Sequence, residues 1–149
     1  MMNAPTNEDE KFMRLALSEA LEAQKRDEVP IGAVIVSQGR VIARGHNLTE
    51  TLTDVTAHAE MQAITAAQGT LSGKYLKDCT LYVTVEPCLM CAGALSWSQI
   101  TRIVYGASDD KRGYHCFCDN PFHKKTSVTA GVLEEQCAKL MTDFFKKKR

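Results

Sequence analysis

Residues 80–96 read TLYVTVEPCLMCAGALS, a β-rich run that passes through a proline into an apolar stretch. Thr80–Val85 is short and rich in residues that favour strands, which predicts a buried strand. Pro87 suits the first turn of a helix, so we expect a helix that continues through Cys88 to about Ser98. A strand that runs directly into a helix is typical of an α/β fold.

Strand and helix patterns alternate on both sides of this segment. Asn7, with Glu10 three residues later, is the predicted cap of a helix that runs from about Asn7 to Lys25. Gln38-Gly39 between two apolar runs predicts a β-hairpin. The other predicted elements are strands 31–36 and 41–44, a helix 57–68, strands 103–105 and 127–129, and a helix 133–147. The pattern predicts a five-stranded mixed sheet covered on both faces, which is a three-layer α/β/α domain.

The chain has the size and composition of a globular domain. Its 149 residues, 44% of them hydrophobic, fit a single domain at 1–149. No apolar run approaches the ~20 residues that span a bilayer, so no membrane association is expected. Residues 1–10 are acidic and lack the apolar stretch of a secretory signal, and we therefore expect a cytoplasmic protein.

Charge is balanced overall but not along the chain. The 18 basic and 18 acidic side chains exclude a generally basic nucleic-acid-binding surface. Acidic residues cluster at 8–10, and a basic run occupies 146–149. Such a run is typical of a solvated helix end, where cations oppose the helix dipole, and contact with phosphate groups is the alternative.

Two short motifs carry candidate metal ligands: HAE at residues 58–60 and PCLMC at residues 87–91. Cys88 and Cys91 are three apart at the start of a predicted helix, so their sulfurs share a face where the helix dipole favours thiolates. With His58 they supply three ligands to one Zn²⁺ and leave a fourth position for water. That is the arrangement of a catalytic zinc ion and not of a structural one.

Glu60 is the candidate catalytic residue. Positions two apart on a regular helix point to nearly opposite faces, so His58 and Glu60 must both approach the metal where the chain enters the helix. A carboxylate there could accept a proton from water and return it to a leaving amine. Cysteines spaced like Cys88 and Cys91 also occur in redox dithiols and in structural zinc sites, but the joint pattern favours catalytic zinc.

The remaining thiols and imidazoles give weaker signals. Cys79 and Cys137 have no metal-like neighbours and are interpreted as small core residues. The stretch 107–125 is predicted to be irregular, and loops of that length are uncommon unless functional. It contains His115, Cys116, Cys118 and His123. Incidental thiols of a cytosolic loop are the preferred interpretation, and a second metal site is the alternative.

These motifs and their flanks resemble the cytidine deaminase superfamily, and within it the bacterial tRNA-specific adenosine deaminases. The segments that carry the resemblance are EVPIGAV at 28–34, GHN at 45–47, TAHAE at 56–60, LYVTVEPCLMCAGA at 81–94, RIVYGA at 102–107 and the stretch 131–145. The resemblance implies a cytidine-deaminase-like domain that forms a homodimer. It also implies conversion of adenosine to inosine at the wobble position in the anticodon loop of a tRNA.

The resemblance implies roles for single residues as well. His58, Cys88 and Cys91 match the zinc ligands, and Glu60 matches the residue that moves protons. Asn47 matches an asparagine that hydrogen-bonds the target nucleotide. Phe145 and the basic run match a C-terminal helix that lies near the anticodon loop, where an unpaired base costs little to extrude.

Two other functions stay open at this point. Trp97 resembles guanine deaminases, and the loop at 113–125 departs from the pattern of the tRNA-specific adenosine deaminases. These two features suggest a deaminase that acts on guanine, a cytosine nucleotide or a similar small ring. A zinc subunit without catalytic activity is the third possibility. Glu60 argues against the latter, because a structural zinc site does not use a carboxylate beside the metal.

Overall fold

This computed structural model describes residue 2 and residues 4–148. Its helices and strands, in chain order, are α1 Asn7–Lys25, β1 Gly32–Ser37, β2 Arg40–His46, α2 Ala59–Leu71, β3 Cys79–Val85, α3 Leu89–Ser98, β4 Arg102–Ala107, β5 Ser127–Ala130 and α4 Glu134–Lys147. A short 3-10 helix, Tyr114–Cys116, interrupts the long loop before β5. In the described part of the chain, no helix combines the length and apolar character that a bilayer crossing requires.

The predicted three-layer arrangement around a five-stranded mixed sheet is confirmed. The strand order is β2-β1-β3-β4-β5, with antiparallel pairing between β2, β1 and β3 and parallel pairing between β3, β4 and β5. Helices α1 and α4 cover one face of the sheet, and α2 and α3 cover the other. The carboxyl ends of the parallel strands β3 and β4 therefore meet at one edge, where α/β folds bind their ligands.

Three predicted helix starts need correction. Thr6, and not Asn7, caps α1, because its backbone N–H donates to the carboxylate of Asp9 at 2.8 Å. Helix α2 begins at Ala59, two residues later than predicted, with His58 as the extended residue before it. Pro87 lies outside α3, because Cys88 is the extended residue that precedes the first turn.

Glycine at position 45 allows α2 to pack closely on the hairpin. A Cβ atom at this position would collide with the backbone carbonyl of Ala59 in the first turn of α2. Any larger residue would push the helix start away from β2, together with His58, which directly precedes it. The close packing at Gly45 thus fixes where the predicted metal ligand lies.

On the face of the sheet that lies opposite α2 and α3, a buried ion pair joins β4 to α1. Arg102 on β4 donates two hydrogen bonds to the carboxylate of Asp9, at 2.8 and 2.7 Å. The hydroxyl of Tyr82 on β3 donates a third at 2.9 Å. Burial opposes the ionisation of Asp9, but the hydrogen bonds from Arg102, Thr6 and Tyr82 outweigh it and lower the pKa of this carboxyl to about 2 from the ordinary 3.8.

Acid unfolding is expected to depend on Asp9. Because its folded-state pKa lies below its unfolded value, the stabilisation is complete above about pH 4 and is lost as the pH falls towards 2, a change of about 2 kcal/mol. Asp9→Asn should lower the free energy of unfolding near neutral pH by about 3 kcal/mol, since it leaves a partly buried Arg102 without its counter-charge. Urea unfolding at a series of pH values measures both effects.

The matched control is Glu10→Gln on the same helix turn. Glu10 pairs with Arg14 on the exposed surface, and such pairs contribute little. This variant should unfold within about 0.5 kcal/mol of the parent and keep its acid dependence. Equal destabilisation by the two substitutions would contradict the assignment to the buried pair.

Candidate active site

Three metal-binding side chains converge at the carboxyl end of β3. His58 ends the loop before α2, Cys88 directly precedes α3, and Cys91 lies in the first turn of α3. The Nδ1 atom of His58 is 3.5 Å from the Sγ atom of each cysteine. All three ligand atoms lie within 4.8 Å of one another, and the described residues contain no second group of this kind.

These distances fit a tetrahedral zinc ion. Zn–N bonds of about 2.0–2.1 Å and Zn–S bonds of about 2.3 Å place tetrahedral N and S ligands about 3.6 Å apart. The hydrogen bonds that Cys88 receives from Cys91 and His58 lower the pKa of the Cys88 thiol to about 4, so this sulfur is a thiolate at neutral pH. One imidazole and two sulfurs are donors that zinc prefers, and three protein ligands leave the fourth position open.

Glu60 lies in the first turn of α2 and is almost completely buried. Because His58 is extended and Glu60 is already helical, both side chains point into the same cavity. Burial raises the pKa of Glu60 to about 7 from the ordinary 4.5. A carboxyl group with this pKa can both accept and donate a proton near neutral pH.

The cavity beside these residues has a volume of about 260 Å³. That volume accommodates one purine or pyrimidine ring rather than a larger ligand. Asn47 lies in its wall, with its side-chain oxygen accepting the backbone N–H of Thr49 at 3.3 Å. Among the described residues, the amide nitrogen of Asn47 donates to no partner. It is therefore available to a ligand in the cavity.

The loop that carries Asn47 is held by a second buried carboxylate, Glu28. Glu28 accepts the backbone N–H groups of Glu50 and Thr51, at 3.1 and 2.6 Å, and the hydroxyl of Thr51 at 2.7 Å. Burial opposes ionisation of Glu28, but these hydrogen bonds prevail and lower its pKa. Because the backbone of the loop donates hydrogen bonds to this negative charge, the loop and its residue Asn47 are held beside the metal ligands.

A third carboxylate, Glu86, holds the opposite wall of the cavity. It accepts the backbone N–H of Asp109 at 3.1 Å, the backbone N–H of His115 at 2.9 Å and the Nδ1–H of His115 at 2.8 Å. The motif containing Glu86 was visible in the sequence, but its partners lie more than twenty residues further along the chain. Local pattern gives no signal for such a contact.

The C-terminal helix contributes a residue that the sequence did not single out. Met141 lines the cavity, whereas Phe145 is half exposed and packs edge-on against Phe144, with ring centroids 5.3 Å apart. The cavity continues past Val29 and Thr49 into a second cleft, which Phe144 and Lys148 line. Of the basic run, Lys146 and Lys147 end α4, Lys148 is the residue that follows it, and Arg149 lies outside the described residues.

The cysteines and histidines outside the metal centre have other surroundings. Cys79 and Cys137 are buried, as predicted for core residues. In the loop before β5, His115 is bonded to Glu86, and Cys116 and Cys118 are exposed thiols. Within residues 4–148 these loop side chains do not form a metal-binding group.

Comparison with known proteins agrees with this geometry. The family described as the cytidine and deoxycytidylate deaminase zinc-binding region matches residues 6–107. The tRNA-specific adenosine deaminase of Agrobacterium fabrum (strain C58) is 48% identical over 143 residues, which cover 93% of this chain and 94% of the relative. Since the matched family binds zinc and the three ligands have zinc geometry, the metal of this site is zinc.

Two solved structures bear on the choice of substrate. A structure from a study of A-to-I editing by tRNA:A34 deaminases at the wobble position has a TM-score of 0.81 and 46% identity, covering 87% of this chain and 98% of that one. Guanine deaminase from Bacillus subtilis has a TM-score of 0.64 and 42% identity, covering 66% of this chain and 64% of that one. Trp97, which suggested guanine deaminases, is 85% exposed and does not line the cavity.

Proposed function

The chain belongs to the cytidine and deoxycytidylate deaminase family, and from this membership we propose that it is a zinc-dependent hydrolase that converts adenosine to inosine at the wobble position of a tRNA. The observation that carries the proposal is the pairing of an open three-ligand zinc site with Glu60 in one nucleobase-sized cavity. The near full-length similarity to tRNA-specific adenosine deaminases selects the substrate among those of the family.

The residues of the cavity divide the reaction between them. When bound, zinc supplies a Lewis acid that makes water nucleophilic at neutral pH. The water oxygen forms a bond to C6 of the purine, and the C6–N bond breaks. Glu60 takes one proton from the water and delivers it to the departing amine, which leaves as ammonia. The second water proton is transferred to N1, so the product carries a carbonyl at C6 and a hydrogen on N1. The amide nitrogen of Asn47 orients the nucleotide so that C6 faces the metal.

The surface around the cavity suits an RNA loop. The second cleft leads from Thr49 to Phe144 and to Lys148, which pairs with Asp27. Next to Lys148, two further cations, Lys146 and Lys147, end α4. These cations can hold phosphates that flank the target, and Phe145 offers an exposed ring on which a base can stack. A wobble base in an anticodon loop is already unpaired, so turning it into the cavity costs little.

The proposal includes a cytoplasmic location, which a tRNA substrate supports. All six cysteines are free thiols in the structure. Free thiols, two of which are exposed, are typical of a reducing compartment.

The proposal is tested with purified zinc-loaded protein and an unmodified arginine tRNA transcript that carries a wobble adenosine. Inosine at that position, and no inosine at other adenosines, is the expected result. The same protein is also assayed with free guanine and with deoxycytidylate. No inosine despite a full complement of zinc, or turnover of the free ring at an ordinary enzymatic rate, would contradict the proposal.

The proposal includes a homodimer with an interface beside the metal. Large apolar side chains are exposed on the two segments that carry the ligands: Leu89, Met90 and Trp97 on α3, and Val55 in the loop before His58. Val55 is 83% exposed and Trp97 is 85% exposed. Such residues cluster at protein interfaces, and a second copy of the chain would cover them.

Trp97→Glu is expected to convert the dimer to a folded monomer. Since the side chain is almost fully exposed in the single chain, its replacement removes few contacts within the subunit. Sedimentation velocity should show half the parent mass, with an unchanged circular dichroism spectrum. The matched control is Tyr75→Glu, which changes an exposed aromatic residue between α2 and β3 and should leave the mass unchanged. If the Trp97→Glu protein sedimented with the same mass as the parent dimer, the proposed interface would be refuted.

A further inference from the structure

The rim of the cavity is formed by residues 109–116, which we call the rim loop. Its backbone is fixed next to a zinc ligand: Gly113 forms a β-bridge with Cys88, and the N–H of Tyr114 donates to the carbonyl of Pro87 at 2.9 Å. A Cβ atom on Gly113 would collide with the buried carboxylate of Glu86. The rim loop is therefore held rigidly relative to the metal.

Arg112 lies at the turn of this loop and lines the cavity. The turn is stabilised by the side chain of Asp109, whose Oδ1 accepts the backbone N–H groups of Lys111 and Arg112, both at 3.0 Å. The Arg112 side chain is exposed, and within residues 4–148 it pairs with no carboxylate. Its guanidinium is thus uncommitted, although its backbone is fixed.

Arg112 is also the one lysine or arginine among the described residues that line the cavity. The carboxylate of Glu86 also lines the cavity, but its oxygens accept three N–H groups of the rim loop, and it forms no ion pair with the guanidinium. A fixed backbone that presents an unpaired guanidinium at the mouth of a nucleobase-sized cavity is suited to an anion attached to that base.

We propose that Arg112 binds a phosphate next to the nucleotide that is deaminated. The inference rests on the proposed function, and it adds a specificity: the site takes a nucleotide within a strand in preference to a free nucleoside or base. The zinc ligands and Glu60 act on any base that reaches them. Arg112 supplies binding energy only when a phosphate is attached, and so favours a nucleotide over a nucleoside or a free base.

The test compares Arg112→Gln and Arg112→Lys with Lys111→Gln, a matched control that removes a neighbouring exposed charge that does not line the cavity. The substrate is an anticodon stem-loop RNA with a wobble adenosine. Arg112→Gln should lower kcat/KM by about tenfold, chiefly through KM, because a charged hydrogen bond is lost. The slope of log kcat/KM against log salt should become shallower by about 0.7, and Arg112→Lys should recover the slope. Lys111→Gln should stay within about twofold of the parent.

A second set of substrates identifies the phosphate. A neutral methylphosphonate replaces the phosphate on the 5′ or the 3′ side of the target adenosine. The parent enzyme should lose about tenfold in kcat/KM with one of these two RNAs, and Arg112→Gln should lose nothing further with it. Additive losses would overturn the contact.

The outcomes separate the two proposals. A parent enzyme that forms no inosine from the unmodified RNA overturns the proposed function and this inference with it. A parent enzyme that forms inosine, with Arg112→Gln indistinguishable from Lys111→Gln in rate and salt slope, overturns the role of Arg112 alone.

Discussion

Glu60→Gln is expected to lower the rate of inosine formation by about a thousandfold while the protein retains one zinc ion per chain. The amide has nearly the same shape as the carboxylate, so the packing of the buried side chain is preserved. It cannot accept a proton from the attacking water or pass one to the departing amine. The loss should therefore appear in kcat, with KM for the RNA changed little.

The measurement pairs metal analysis with single-turnover kinetics. Glu60→Asp is the control, because it keeps a carboxylate but withdraws it by about one methylene group. This variant should fall between the parent and Glu60→Gln in rate, again with full zinc. A Glu60→Gln protein that turns over within tenfold of the parent would remove Glu60 from the reaction. A variant without zinc would mean that the carboxylate supports the metal site instead.

The sequence predicted the parts of this molecule that depend on local pattern. The spacing of His58, Cys88 and Cys91 predicted three converging ligands. Apolar patterns, strand-favouring residues and turn residues predicted the helices and the strands of the sheet. The errors at helix starts have a local cause as well. Asn7 and Thr6 are both good capping residues, and only the position of Asp9, drawn inwards by Arg102, makes Thr6 the cap.

The walls of the cavity could not be predicted in the same way. Glu28 and Glu86 each bind a loop far along the chain, and such contacts depend on how the sheet brings those loops together. The rotation of α4 about its axis could not be predicted either. Met141, Phe144 and Phe145 belong to one apolar pattern, but the packing of the helix on the sheet turns Met141 towards the cavity and leaves Phe145 half exposed. The role of Phe145 therefore stays a prediction, as does that of Asn47.

Cys88→Ala is expected to abolish both zinc binding and turnover. Two donors, His58 and Cys91, remain, and they do not hold the ion in a site that needs three protein ligands. The sheet and its two hydrophobic clusters are built without this side chain, so the protein should still fold. It should lose the stabilisation that bound zinc contributes, which is about 4 kcal/mol when free zinc exceeds its Kd a thousandfold.

Thermal unfolding of four samples tests this expectation: the parent with zinc, the parent with a chelator, Cys88→Ala and Cys116→Ala. Cys116 is an exposed thiol outside the metal group, so its variant should melt with the zinc-loaded parent and retain activity. Cys88→Ala should melt with the chelated parent, and added zinc should not raise its Tm. If Cys88→Ala were stabilised by zinc as much as the parent, another side chain would have to serve as the third ligand. The zinc site would then not be the one formed by His58, Cys88 and Cys91, and the hydrolytic mechanism that is built on these three ligands would fail with it.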